Sequence, residues 1–339
     1  SVACAVFGAI CGSGMATLSC IGSIMMPKMR DKRYPMEIAA AVACCSAPLG
    51  MLIPPSSLCI VVAWGANLSV TACFLSTLIP GIILTILISV VSYFMLRNKD
   101  IDVGNGLEQG VTLREVAGPR TVKAIPALLM PVIVLGGIYG GIMTTTEAAA
   151  VSAIYAIPVA LWIYKGVTAR GLKDVFIDGA RTTGVVMVMC VMTMALGQIL
   201  TMENLPTKVL AGLTSVSSNK YVILLMINVF LIFIGMIMDD TCATMLCAPL
   251  LIPIGTALGI NPYQMCAILV VNIGMGNVTP PTAPFLYMAS GMAKVNAFKV
   301  MKPVLIILLF AYLPTLLLTA FVPELSTWLP GLIMGSRIA

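Results

Sequence analysis

Six runs of this chain are apolar for about as long as a bilayer is thick: residues 72–96, 121–143, 146–164, 182–202, 221–238 and 303–322. A helix needs roughly 20 such residues to cross the hydrocarbon core, where backbone groups must be satisfied within the segment. The 339 residues are 60% hydrophobic and only 9% charged, against about 25% charged in soluble domains. The chain reads as an all-α polytopic membrane protein.

Two residue counts narrow the chemistry. There is no histidine, and only 13 residues are acidic. That removes the Ser-His-Asp triad, most zinc sites and the commonest general base. The chain is therefore read as a non-enzyme. The net charge of +6 is loop charge that sets orientation, with no nucleic-acid partner implied. The 11 cysteines match neither CxxC metal pairs nor a disulfide framework, so they read as small buried hydrophobes. No transition-metal site is expected. The start at Ser1, without a signal peptide, reads as a fragment or processed end with the native N-terminus lost.

Four polar stretches, Lys28–Arg33, Arg97–Lys123, Lys165–Arg181 and Lys294–Lys302, hold 16 of the 19 Lys and Arg residues. Placed together in the cytoplasm, they satisfy the positive-inside rule. Counting crossings from residues 28–33 then puts 201–220 outside. The count closes only if 221–257 returns as a re-entrant hairpin with its tip near Met238–Thr241.

The chain also resembles itself. SGMATLSC at 13–20 matches DTCATMLC at 240–247, and Tyr34-Pro35-Met36 lies against Asn261-Pro262-Tyr263, both 227 residues apart. GMLIPPSS at 50–57 matches GNVTPPTA at 276–283, 226 apart. The crossing count puts the two copies on opposite sides, so the repeats are inverted, as in secondary transporters. The first repeat is 1–96, with hairpin 1–28, broken helix 36–66 and helix 72–96. Residues 97–181 hold cytoplasmic loops and two scaffold helices. The second repeat is 182–325: helix 182–200, an outer amphipathic segment 204–216, hairpin 221–257, broken helix 263–293 and helix 303–322. Residues 326–339 are a C-terminal tail.

Each copy has two breaks. One is the tip, Gly12-Ser13-Gly14 or Asp239-Asp240-Thr241. The other is a proline pair, Pro54-Pro55 or Pro280-Pro281. Proline removes a backbone donor and clashes with the preceding turn. A simple kink repaired by Ser or Thr is one reading of a single pair. Two pairs at equivalent positions, each opposite a tip, favour a binding site. Freed carbonyls with Ser56, Ser57, Thr279 and Thr282 would suit sodium, and helix N-termini an anion. Asp239 and Asp240 are the only adjacent acids in an apolar stretch. They read either as functional carboxylates or, for Asp240, as the cap of the following helix. Thr144-x-x-Glu147 matches a capping box.

The series GSGMAT, APLGMLIPPS, GGIYGGIMTTTEAAAV, GMIMDDTCATMLCAPLLIPI and GNVTPPTAP resembles the DctM-type large membrane subunit of TRAP transporters, over residues 1–325. The resemblance implies an elevator-type carrier in the bacterial inner membrane. It implies sodium-driven uptake of an organic acid (a C4-dicarboxylate, sialic acid or other sugar acid), with a periplasmic binding protein and a small four-helix membrane subunit as partners. One implied sodium site comprises Ser13, Gly14, Gly50, Pro54 and Ser56. The other comprises Asp240, Thr241, Gly276, Thr279 and Thr282. Thr17, Ser57 and Thr244 are the implied substrate contacts, and no cofactor other than the coupling sodium is implied. Competing readings are a standalone sodium–dicarboxylate symporter, an intramembrane enzyme using Asp239-Asp240, and a passive channel.

Overall fold

A computed structural model of the chain describes residues 1–97, 99 and 113–335, and among these every regular element is helical. The first half runs α1 (Val2–Cys11), α2 (Gly14–Asp31), α3 (Met36–Ser46), α4 (Leu49–Leu52), α5 (Ser57–Gly65) and α6 (Val70–Leu96). Then come α7 (Leu113–Tyr139), α8 (Thr145–Pro158) with a π-helical turn at Val159–Ile163, and α9 (Ala169–Met202). The second half follows as α10 (Leu205–Val216), α11 (Lys220–Ile237), α12 (Asp240–Ala257), α13 (Pro262–Gly276) and α14 (Pro284–Ala293). It closes with α15 (Ala297–Ile307), a π-helical turn at Leu308–Tyr312, α16 (Leu313–Phe321) and α17 (Glu324–Met334). Seven helices among the described residues are long and apolar enough to cross a membrane: one for each of the six apolar runs and, in addition, α12. α11 and α12, the two arms of the expected 221–257 hairpin, both count among the seven.

The helix starts are legible as caps. Ser13, Ser56, Ser69, Asn219, Asn261 and Asn296 each accept a backbone N–H from the first turn of α2, α5, α6, α11, α13 and α15, satisfying donors that a helix start leaves free. Thr144 and Glu147 form the full capping box at the start of α8.

Three expectations are corrected. The polar stretch Lys165–Arg181 is helical from Ala169, because its charges fall on exposed turns of α9; Arg181 pairs with Asp178 at 3.5 Å. The loop expected at 97–123 is already helical at Leu113, while residues 98 and 100–112 lie outside the described residues. The tail expected from 326 is mostly α17, which packs on α6; residues 336–339 lie outside the described residues.

Two compact units emerge: Ser1–Ile101 with Val191–Ala339, and Asp102–Cys190. In the smaller unit α7 packs on α8. There Tyr155 Oη donates to Pro126 O at 2.8 Å and Tyr164 Oη to Lys123 O at 2.6 Å. In the larger unit the packing of the first half recurs in the second. α2 lies on α3 as α12 lies on α13, and α1 lies on α4 as α11 lies on the end of α13. The halves also exchange their last short helices: α5 packs on α12, and α14 packs on α2. Buried Tyr312 ties the halves together by donating to Cys45 O at 2.7 Å.

Candidate functional site

The first break interrupts α3–α4–α5, whose two parts bend by 47°. α4 stops at Leu52, because Pro54 and Pro55 have no N–H to continue the ladder, and α5 restarts at Ser57 behind its Ser56 cap. The Pro54–Pro55 and Pro280–Pro281 peptides are both cis. Ser56 is fully buried; its hydroxyl donates to the Met51 carbonyl left over at the end of α4 and accepts from Cys59 N at 3.4 Å.

The hairpin tip docks on this break. Gly12, left-handed at φ 65°, ends α1. Its carbonyl accepts both Ser57 N at 3.2 Å and Ser57 Oγ at 2.9 Å. A Cβ on Gly12 would lie 2.5 Å from Pro55 O. Thr17 is fully buried, donates to Ser13 O at 2.8 Å, and sits against Gly50. A Cβ on Gly14 would meet Ala47 O at 3.3 Å and Met51 Cε at 3.0 Å. Ser13, Gly14, Thr17, Gly50, Pro54, Ser56 and Ser57 are therefore neighbours. Two helix ends (α1 and α4), whose last carbonyls are met by Ser57 and Ser56, and two helix starts (α2 and α5) converge there. Such a junction presents partial negative charge to a cation and partial positive charge to an anion.

The second break, between α13 and α14, is built differently. Thr279 Oγ1 returns to Met275 O at 2.6 Å and Thr279 N to Gly276 O at 3.0 Å. Thr282 is exposed. Its tip is capped by Asp239, whose Oδ2 accepts Thr241 N at 3.2 Å, so the cap expected at Asp240 falls one residue earlier. Asp240, the first residue of α12, also accepts Thr241 N at 2.7 Å and Thr241 Oγ1 at 3.2 Å. Thr244 is buried and donates to Asp240 O at 2.7 Å. Among the described residues no hydrogen bond links Asp240 or Thr241 to the second break. The tie is steric instead: a Cβ on Gly276 would lie 2.6 Å from the Gly235 Cα.

Three participants escaped the sequence reading. Buried Phe285, from α14, reaches the first tip, where a Cβ on Gly14 would lie 2.8 Å from its Cζ. No local pattern announces a contact across 271 positions. Cys11 Sγ lies 3.2 Å from Thr17 Oγ1, next to the tip. Asn277 is buried beside Gly276, and its Oδ1 has no hydrogen-bond partner. A polar residue following a break glycine was the available signal. All eleven cysteines are free thiols.

Comparison with known proteins bears on what this arrangement is. Residues 1–325 match the family described as "Tripartite ATP-independent periplasmic transporter, DctM component". The chain is 34% identical to the isethionate TRAP transporter permease protein DctMQ of Oleidesulfovibrio alaskensis, covering 97% of this chain and 51% of that protein. It is 33% identical to the C4-dicarboxylate TRAP transporter large permease protein DctM of Vibrio cholerae, over 99% of this chain and 78% of the relative. It is 31% identical to the sialic acid TRAP transporter large permease protein SiaM of the same organism, over 97% and 76%. The chain thus spans about half of the first relative and about three quarters of the other two. These relatives are permeases, not enzymes, and with seven helices among the described residues long and apolar enough to cross a membrane the chain is a multi-pass inner-membrane protein. The chain belongs to the DctM family, the large permease component of tripartite ATP-independent periplasmic transporters.

Proposed function

We propose that the chain is the translocating subunit of a sodium-driven secondary transporter that imports an organic acid. The observation that carries this reading is the docking of Gly12 on Ser57, which gathers two carbonyl-bearing helix ends and two helix starts at one break. In this account sodium is a co-substrate. At the first break it is held by Ser13, Gly14, Gly50, Pro54 and Ser56, through backbone carbonyls and hydroxyls. At the second it is held by Asp240, Thr241, Gly276, Thr279 and Thr282, with Asn277 Oδ1 an added candidate. The substrate carboxylate lies between the tips at Thr17, Ser57 and Thr244, facing the helix starts, where anions are favoured.

The recurrent packing supports an inverted repeat with 221–257 as the second re-entrant hairpin. The hairpins and broken helices then move together as an elevator. Partners are a periplasmic solute-binding protein that delivers the substrate and a small four-helix membrane subunit. The exposed apolar surfaces of α7 and α8 suit such a subunit. The relatives' names point to C4-dicarboxylates, sialic acid and isethionate as the first substrates to try.

The test is uptake into proteoliposomes containing the full-length protein with its small subunit and binding protein. Uptake that needs an inward sodium gradient and the binding protein supports the proposal. Sodium-driven uptake without the binding protein would favour a standalone symporter, and non-saturable flux would favour a channel.

A further inference from the structure

The end of α5, the middle of α12 and the last turns of α9 enclose a cavity of about 530 Å³, within the roughly 300–1,000 Å³ of small-molecule sites. Trp64, Met194, Met245 and Pro249 give it apolar walls, and Asn67 and Gln198 supply carboxamides. None of the described residues lining it carries a charge.

The cavity has a physical origin in the recurrent packing. Asn67 and Lys294, both at φ 53°, lie just past the ends of α5 and α14, and Ser69 and Asn296 cap the helices that follow. In that register Gly65 matches Met292, and Pro249 matches Gly22. Where α14 meets α2, the Met292 side chain fills the space over Gly22; a Cβ there would lie 2.7 Å from Met292 Cε. Where α5 meets α12, Gly65 has no side chain in that place, and a Cβ on it would make ordinary contact with Pro249 Cδ at 3.7 Å and Ala248 Cβ at 3.8 Å. A methionine-sized volume is missing from one of two matched contacts.

The mouth selects the occupant. Trp64 and Met194 are about half exposed on segments apolar enough to cross a membrane, which gives the mouth access to molecules dissolved in the bilayer. Uncharged apolar walls suit methylene groups, and two carboxamides near the ends of α5 and α9 suit ester carbonyls. We propose that this cavity binds one acyl chain of a bilayer phospholipid, with its ester region at Asn67 and Gln198 and its chain running toward Met245.

The experiment uses the full-length protein in proteoliposomes containing either a phospholipid with a photoreactive diazirine in its acyl chain or a photoreactive free fatty acid. Met245 is only 3% exposed, so label on it reports a chain inside the cavity. The phospholipid is expected to label Met245 and Met194. Gly65→Met should lower that labelling by about tenfold, the factor that corresponds to roughly 1.4 kcal/mol of lost affinity. Labelling of Ile82, Ile86 and Val90 on the exposed face of α6 should not change, which also reports that the variant is folded. Gly197→Phe, at a position with open space around it, is the second filler should Gly65→Met fail to fold. Absence of label at Met245, or label that a folded filling variant leaves unchanged, overturns the proposal. Labelling by the fatty acid alone overturns the phospholipid assignment.

Discussion

Gly8 and Gly50 meet backbone to backbone: a Cβ on Gly8 would lie 2.5 Å from the Gly50 Cα. Gly235 and Gly276 repeat the contact in the second half, where a Cβ on Gly235 would lie 3.1 Å from the Gly276 Cα and one on Gly276 2.6 Å from the Gly235 Cα. In each half the arm leading to a tip and the helix leading to a proline break are thus held at the closest approach that two backbones allow. Gly50→Ala and Gly276→Ala should each destabilise by about 1–3 kcal/mol through overpacking and reduce uptake. Gly291→Ala, where an added Cβ meets nothing within 4 Å, should be neutral or slightly stabilising. Thermal unfolding of the three variants checks this.

Ser56 and Ser57 are adjacent but serve different partners. Ser56 is buried and caps α5, whereas Ser57 is exposed and donates to the Gly12 carbonyl. Ser56→Ala should cost about 0.5–2 kcal/mol as a lost cap and weaken sodium dependence. Ser57→Ala should cost about 0.5–1.5 kcal/mol, a typical net hydrogen bond, and chiefly raise the substrate KM. Uptake titrated separately with sodium and with substrate distinguishes them.

The two tip acids should also separate. Asn caps as well as Asp does, so Asp239→Asn should leave stability and uptake almost unchanged. Asp240→Asn should retain the fold but raise the sodium concentration needed for half-maximal uptake. Equal effects of the two substitutions would remove Asp240 from the proposed second sodium site.

Glu147 serves α8 rather than the transport site. Its Oε2 accepts Thr144 N at 2.7 Å and Thr144 Oγ1 at 2.9 Å. Thr144→Ala should lower stability by about 0.5–2 kcal/mol without moving the sodium or substrate dependence of uptake. A changed KM would mean that this turn contacts the translocation path.

Much of this architecture is local and so was legible in the sequence. The start of α8 follows from the Thr144–Glu147 capping box, breaks from Pro54-Pro55 and Pro280-Pro281, and spans from apolar length. The caps at Ser13, Ser56 and Asn261, by contrast, emerged only with the structure. The illegible part has two physical sources. Charged residues on an exposed helix look like a loop when composition is the guide, which hid the first turns of α9 around Arg170–Arg181. Contacts between distant positions leave no periodic trace, which hid Phe285 against Gly14 and Tyr312 on Cys45. The cap at Asp239 was misplaced by one residue because Asp239 and Asp240 carry the same capping group, and only backbone geometry chooses between them.

The central claim is that sodium binds at the broken helices. It is tested most directly by thermal unfolding of the purified full-length protein in sodium and in potassium at equal ionic strength. A ligand at 100 times its dissociation constant stabilises by about 2.7 kcal/mol. The account predicts a sodium-specific rise in Tm that shrinks in Ser56→Ala and in Thr282→Ala. Identical unfolding in the two ions would contradict it.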